Sequence, residues 1–299
     1  MGTVGFSYSE WISNFYPRGT PAAERLAFYA RHFNAVEIDT TFHAIPSRDT
    51  VRRWASVTPP SFRFCVKAPR QVTHGPATPN QLFKGATQNR PDYLLQASTL
   101  ETMGRFFNAI EELEDKLAVV LLQFPHTFTA ERRATLTSFL DRLPRVFRLA
   151  IEFRHGSWWT PEMALILRQR GISWVAADQA PQDEAADAPI PKQRALYVRS
   201  MVPTTDFLYV RWLGRHGQFL DQGAEQIDPA GRLTWWYQRL QHVHTVSSTI
   251  RDVYCFFDND FSGHAPTTAR RFSDLLGLPR PTQFTGALDQ PTLFGSQSV

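Results

Sequence analysis

Short runs of alternating apolar and polar residues are separated along this chain by longer segments whose apolar residues recur every three or four positions. A period of two sends successive side chains to opposite faces of a strand, whereas a period near 3.6 gathers them on one face of a helix. The alternation predicts strands at Thr3–Phe6, Ala35–Asp39, Phe62–Val66, Leu117–Gln123, Phe147–Phe153, Ser173–Ala176, Phe207–Trp212 and Val253–Phe257. The helical period predicts helices at Pro21–Phe33, Arg48–Ala55, Leu94–Glu114, Ala130–Leu143, Pro161–Gln169, Arg232–Val246 and Ala265–Leu276. Pro21 and Pro161 stand at helix starts, where a missing N–H costs nothing. Strand and helix in alternation read as parallel strands joined by crossover helices, and eight strands with seven helices predict a single (β/α)8 TIM barrel.

Two stretches interrupt the pattern. Residues 68–92 are rich in Pro, Gly, Thr, Asn and Gln, and a loop of that length is expected to be a lid or binding loop. Residues 179–205 put an acidic, Ala- and Pro-bearing segment where the sixth helix belongs, so the barrel is expected to be irregular there. The barrel is assigned to residues 1–278 and a flexible C-terminal tail to 279–299, where Pro, Gly, Ser and Gln take over.

Polarity within the strands indicates which side chains face inward. Val36 and Ile38 would pack against helices, leaving Glu37, Asp39 and Thr41 inside or at the mouth. By the same rule Arg63, Cys65 and Lys67 face inward from the third strand, Ala150, Glu152 and Arg154 from the fifth, and Tyr209 and Arg211 from the seventh. Gln123, Asp178 and Asp258 close the fourth, sixth and eighth strands, so most strands end in a polar residue at one common mouth. An unpaired buried charge costs several kcal/mol, so acids and bases must neutralise one another in such a ring. A purely structural role competes with a functional one: ion pairs that close the barrel, Glu152 with Arg154 among them, or Asp178 capping the following loop.

These residues sit within motifs that resemble the YecE-like family, domain of unknown function seventy-two. The resemblance is carried by Gly2 to Tyr8 with Trp11 and Phe15-Tyr16-Pro17, Val36 to Phe42, Lys67-Ala68-Pro69-Arg70 with Thr73-His74, Leu121 to Pro125, Ile151 to His155 with Ser157-Trp158, Tyr209-Val210-Arg211, and Asn259 through Gly263. It spans nearly the whole chain and implies the same barrel, but a site without a settled reaction. The family usually has Asn at the position of Asp39, Tyr at His43, His-Gly at Leu213-Gly214, Asn at Asp258 and Asn at Thr268.

Glu37 and Glu152 come from strands three apart in order and are expected to work as paired acid and base groups, with Lys67 as the third catalytic residue. Lys67, Arg154 and Arg211 suit a phosphate or carboxylate. Tyr8, Trp11, Phe42 and Trp158 would form a stacking wall for a base or sugar ring, unless they are core. His74, Gln123, His155, Asp39, Asp178, Asp258 and Asn259 complete the expected substrate contacts. His74 and His155 with the carboxylates Glu37, Glu152 and Asp178 would suit a divalent metal, but no HxH or HExxH spacing appears and a metal-free site is preferred. The opening Gly2 to Gly5 lacks the third glycine of a dinucleotide fold and no phosphate-loop motif occurs, so no cofactor is expected.

Composition adjusts this picture only slightly. The longest apolar run, Leu117 to Leu122, is too short for a membrane span, no leader precedes the first strand, and a cytoplasmic protein without membrane contact is expected. Cys65 and Cys255 lie in strand-like runs without a CxxC neighbour and read as buried thiols. A net charge of +4 mildly favours an anionic small molecule or DNA as partner. In the tail, Gln290-Pro291-Thr292-Leu293-Phe294 resembles the short peptide by which bacterial DNA enzymes dock on the sliding clamp, with Gln290, Leu293 and Phe294 as the contact residues and Pro291 departing from the usual form. Three readings follow in order of preference: a hydrolase- or isomerase-type enzyme on DNA or its fragments, an enzyme on a small sugar-phosphate-like molecule, and a non-catalytic binding or adaptor barrel.

Overall fold

The strands pair in parallel along two sheets. The computed structural model describes residues 1–75, 93–179, 201–279 and 281. Within them, strands β1 (Gly2–Thr3), β2 (Ala35–Ile38), β3 (Arg63–Lys67), β4 (Leu117–Phe124), β5 (Leu149–Phe153), β6 (Ser173–Trp174), β7 (Ala176–Gln179), β8 (Phe207–Gly214) and β9 (Asp252–Phe257) form sheets of order β2-β3-β4-β5-β6 and β1-β9-β8-β7. Their fully parallel pairing requires crossover connections, which among the described residues helical segments supply from β1 through to β6 and again from β8 to β9. The product is a single α/β domain.

Alternation sorts the side chains as the polarity pattern predicts. Val36, Ile38, Phe64, Ile151, Val210 and Trp212 join the apolar layer between strands and helices, where Phe106, Phe139, Trp236 and Phe272 meet them. A second cluster draws Ala35, Cys65, Leu121 and Ala150 from one sheet and Ala177, Tyr209 and Phe256 from the other, so the inner faces of the two sheets pack together. Cys65 and Cys255 are buried free thiols.

Helix ends follow local chemistry. Ser47 caps the helix Arg48–Ser56 by accepting from the Thr50 N–H at 3.1 Å. The helix Pro161–Arg170 starts on Thr160, which accepts from the Met163 N–H, and stops at Gly171 in the left-handed conformation (φ 64°) that only glycine adopts without strain.

Several expectations need correction. The first strand pairs only over Gly2–Thr3, because Gly5 at φ 72° turns the chain. Val4 bridges to Glu37 and the Gly5 N–H donates to the Glu37 carbonyl at 2.8 Å. The sixth strand is broken: Ser173–Trp174 pairs with β5 and Ala176–Gln179 with β8, while the Val175 N–H between them donates to the Ile151 carbonyl. The helix predicted over Leu94–Glu114 is a turn at Tyr93–Leu95, a helix at Ala97–Ile110 and a tight turn to Lys116, kinked where Glu114 takes φ 51°. Likewise, helix Pro21–Phe33 shortens to Ala22–Glu24 plus Arg25–Tyr29. Most of the 68–92 loop, most of the 179–205 segment and nearly all of the 279–299 tail lie outside the described residues, as do Gln290, Leu293 and Phe294. Among the described residues no helix is long and apolar enough to cross a membrane.

Candidate active site

The C-terminal ends of β2, β3, β5 and β8 bring five charged side chains together. Glu37 on β2 is fully buried, and Arg211 on β8 grips both its oxygens, Nε–H donating to Oε2 at 2.9 Å and Nη2–H to Oε1 at 2.6 Å. The Tyr209 hydroxyl, two residues earlier on the same face, adds a hydrogen bond to Oε2 at 2.8 Å. Arg211 then reaches across to β5, where Nη1–H donates to Glu152 Oε2 at 2.5 Å, while Arg154 pairs with Glu152 Oε1. One guanidinium thus bridges two carboxylates from strands that are not neighbours, and the fork of Arg suits that geometry where a Lys point charge would not.

Burial alone would raise the Glu152 carboxyl, but Arg154, Arg211 and Lys67 outweigh it and hold the group down to about 2. Arg211 stays charged, since its two carboxylates more than offset its burial. Burial and the neighbouring Glu37 push the Tyr209 hydroxyl upward, so it remains a donor.

Lys67 ends β3 at the same mouth under different conditions. Its Nζ lies 4.0 Å from the centre of the Phe42 ring, and among the described residues no carboxylate comes within ion-pair distance. Burial first, then Arg211 and Arg154, lower its ammonium to about 8 despite the opposing pull of Glu37 and Glu152. His74 stands edge-on to Phe42 with ring centres 5.0 Å apart, and burial together with Lys67, Arg70 and Arg154 lowers it to about 3, so its imidazole is neutral. Acidic groups gather past the end of β9: burial, then Asp260 and Asp39, raise the Asp258 carboxyl to about 7, and Tyr8 is raised by burial and by Asp258 and Asp39.

The remaining sequence-predicted residues divide. Gln123 lies in register with Glu152 and is buried, its amide donating to the Phe124 carbonyl at 3.0 Å. Asp39 and Phe42 are partly buried at the end of β2, and His155 turns its Nδ1 to Ser157. Asp178 leaves the ring: its alternate neighbour Ala177 takes the inner face, so its carboxylate points toward the helix Ala230–Val246 and accepts from Arg232 (2.7 Å) and Trp236 (2.8 Å). Trp158 is core, stacked on Phe153 at 4.4 Å, with its indole N–H on the Phe128 carbonyl. Trp11 is core as well; its N–H donates to Asn259 Oδ1, which also accepts from the Ala265 N–H, so Asn259 fastens the first loop to the last helix. Of the expected stacking wall, only Tyr8 and Phe42 keep exposed surface.

Tyr209 was legible as an inward residue but carried no signal of its bond to Glu37. His126, just beyond Gln123-Phe124-Pro125, was missed, although its place past a strand end was the available clue; burial and then Arg154 lower it. Among the described residues no group of three or more His, Cys, Asp or Glu side chains gathers to hold a metal.

Fold and site together define an α/β protein of parallel strands with an acid and base cluster where the strands end. The chain belongs to the DUF72 family: the family model, protein of unknown function DUF72, matches residues 1–292. It is similar to the UPF0759 protein YecE of Escherichia coli strain K12, with 28% identity over 83% of either chain. Similarity also extends to the UPF0759 protein YunF of Bacillus subtilis, with 24% identity over 93% of this chain and 94% of the other. Among solved structures, a DUF72-family protein from Thermotoga maritima superposes with a TM-score of 0.67 at 26% identity, covering 92% of this chain and 98% of that one.

Proposed function

We propose that this DUF72-family chain is an acid and base enzyme, of hydrolase or isomerase type, whose substrate carries a phosphate or carboxylate, and that its two sheets close into one (β/α)8 barrel with the site at its mouth. Closure is supported by the Val4–Glu37 bridge on one side and by the strand shared between sheets at Val175 on the other.

The observation that carries the reading is Lys67. The arginines at the site are balanced by Glu37 and Glu152, whereas Lys67 faces an aromatic ring and, among the described residues, has no carboxylate within ion-pair distance. A cation with no directly paired carboxylate in a partly buried site is poised to receive an anion from outside. Arg154, whose side chain is 13% exposed, is the guanidinium a ligand can reach, while Arg211 at 3% is a buried anchor. In this reading Glu37 serves to position Arg211, since both its oxygens are engaged, and proton transfer falls to Lys67 and Asp258, whose values near 8 and 7 lie close to working pH. No cofactor is invoked.

The test is a thermal-shift series with inorganic phosphate and sugar phosphates on the wild type, Lys67→Met and Arg154→Ala. Wild-type protein is expected to gain melting temperature and both variants to lose that gain. A flat response across the series in wild type would sink the reading.

A DNA-linked version of the same activity is supported by the tail residues Gln290, Leu293 and Phe294 and by the basic balance. It expects salt-sensitive binding of a labelled oligonucleotide, and clamp binding that Phe294→Ala abolishes.

A further inference from the structure

The chain has four lysines, Lys67, Lys84, Lys116 and Lys192, among thirty-two basic residues; every other basic position is arginine. Two of the four are described by the structure, and they differ in what their amines do. Lys116 spends its ammonium on acceptors, donating to the carbonyls of Ala55 and Thr58 and to the Thr58 hydroxyl. Lys67 has no hydrogen-bond acceptor among the described residues; its Nζ sits over the Phe42 ring at the end of β3, where the inner-face charges converge.

If charge alone were required at that position, arginine would supply it better, as it does at Arg154 and Arg211. What lysine adds is an amine that can lose its proton and act as a nucleophile. We propose that Lys67 is a covalent catalytic residue that forms an imine with the carbonyl carbon of a phosphate-bearing aldehyde or ketone. The inference rests on the anion-binding reading of the same mouth and adds the class of substrate.

In the step itself the Nζ lone pair attacks the carbonyl carbon, the C=O π pair moves to oxygen, and a proton passes from nitrogen to that oxygen, giving a carbinolamine. The hydroxyl then leaves with the remaining N–H proton as water, and the C=N bond forms. The surroundings favour this chemistry. Burial first, then Arg211 and Arg154, disfavours a further positive charge there, so at pH 8 the amine at about 8 is neutral about a hundredfold more often than an ordinary lysine near 10.5. Phe42 covers one side of Nζ. Arg154 offers the substrate phosphate a partly exposed guanidinium.

One carbonyl chemistry has two sources, a free sugar phosphate or the aldehyde of an abasic site in DNA, and the experiment separates them. Full-length protein is incubated at pH 8 with glyceraldehyde 3-phosphate in one arm and with an abasic-site oligonucleotide in the other. Sodium borohydride then reduces any imine to a secondary amine, its hydride going to carbon and a water proton to nitrogen, and the adduct is mapped by peptide mass spectrometry. An adduct on Lys67 exceeding that on Lys84, Lys116 and Lys192 by about tenfold or more is the expected result, and the productive arm identifies the source.

Lys67→Arg keeps the charge but forms no imine, so it is expected to retain the phosphate-induced thermal shift and to lose the adduct. Adducts absent from Lys67 in both arms, or spread evenly over the amines, overturn the proposal. With the phosphate shift intact in that same preparation the anion-binding reading survives; with the shift also absent both readings fall.

Discussion

Replacing Lys67 by Met should make the unliganded protein more stable, because the site holds an ammonium where water and carboxylates would serve it better. Free lysine titrates near 10.5 and Lys67 at about 8. Keeping it charged at neutral pH therefore costs up to about 3 kcal/mol, and residual solvent access to this partly buried group reduces the figure to about 1–2 kcal/mol. Met fills the same space over Phe42, and its sulfur contact offsets part of the lost cation–aromatic attraction of about 0.5–1 kcal/mol. The expected gain is about 1 kcal/mol at pH 7, read as a shift in urea midpoint with an unchanged slope.

The pH dependence supplies a sharper check. Between about 8 and 10.5 the unfolded chain holds a proton at this lysine that the folded chain has released, so wild-type stability rises with pH relative to the variant over that interval and the advantage of Met disappears. Tyr8 and Tyr209 are pushed upward in the folded state while their unfolded counterparts titrate near the ordinary value of about 10, but both residues are common to the two proteins and cancel in the difference. A variant less stable than wild type at pH 7, or a difference that stays constant from pH 7 to 10.5, would refute the reasoning.

Arg211→Met strips Glu37 and Glu152 of their shared partner and is expected to cost about 3–5 kcal/mol in urea denaturation; a loss below 1 kcal/mol would mean that the carboxylates find other partners. Asp258→Asn is expected to flatten part of the pH profile. A carboxyl raised from 3.8 to about 7 in the folded state withdraws stability as pH climbs through that range, so wild-type melting temperature should fall relative to the variant between pH 4 and 7, and parallel profiles would count against it.

The inner-face charges were legible because a strand's period of two is strict: one apolar partner on the helix side fixes its neighbour on the other, as Val36 and Ile38 do for Glu37 and Val210 and Trp212 for Arg211. Pairing was not legible, since nothing in the spacing of Glu37, Glu152 and Arg211 says that one guanidinium takes both acids. Asp178 was placed in the ring because a polar residue that closes a strand was assigned to the common mouth. The chain changes partners at Val175, and in the second piece Ala177 takes the inner face, so Asp178 beside it faces a helix. Trp11 and Trp158 mislead for another reason: loop position suggests exposure, but large rings close over the strand ends and satisfy their N–H groups on Asn259 and Phe128.

Arg211 joins Glu37 across 174 positions of chain and Glu152 across 59. A contact that encloses so much polypeptide forms only after most of the loop-closure entropy has been spent, which puts it late on the route to the native state. Its loss should therefore speed unfolding while leaving the refolding rate nearly unchanged. On this reasoning the bridge is a latch on the lifetime of the folded chain, and Arg211→Met is expected to shorten the protein's half-life at elevated temperature.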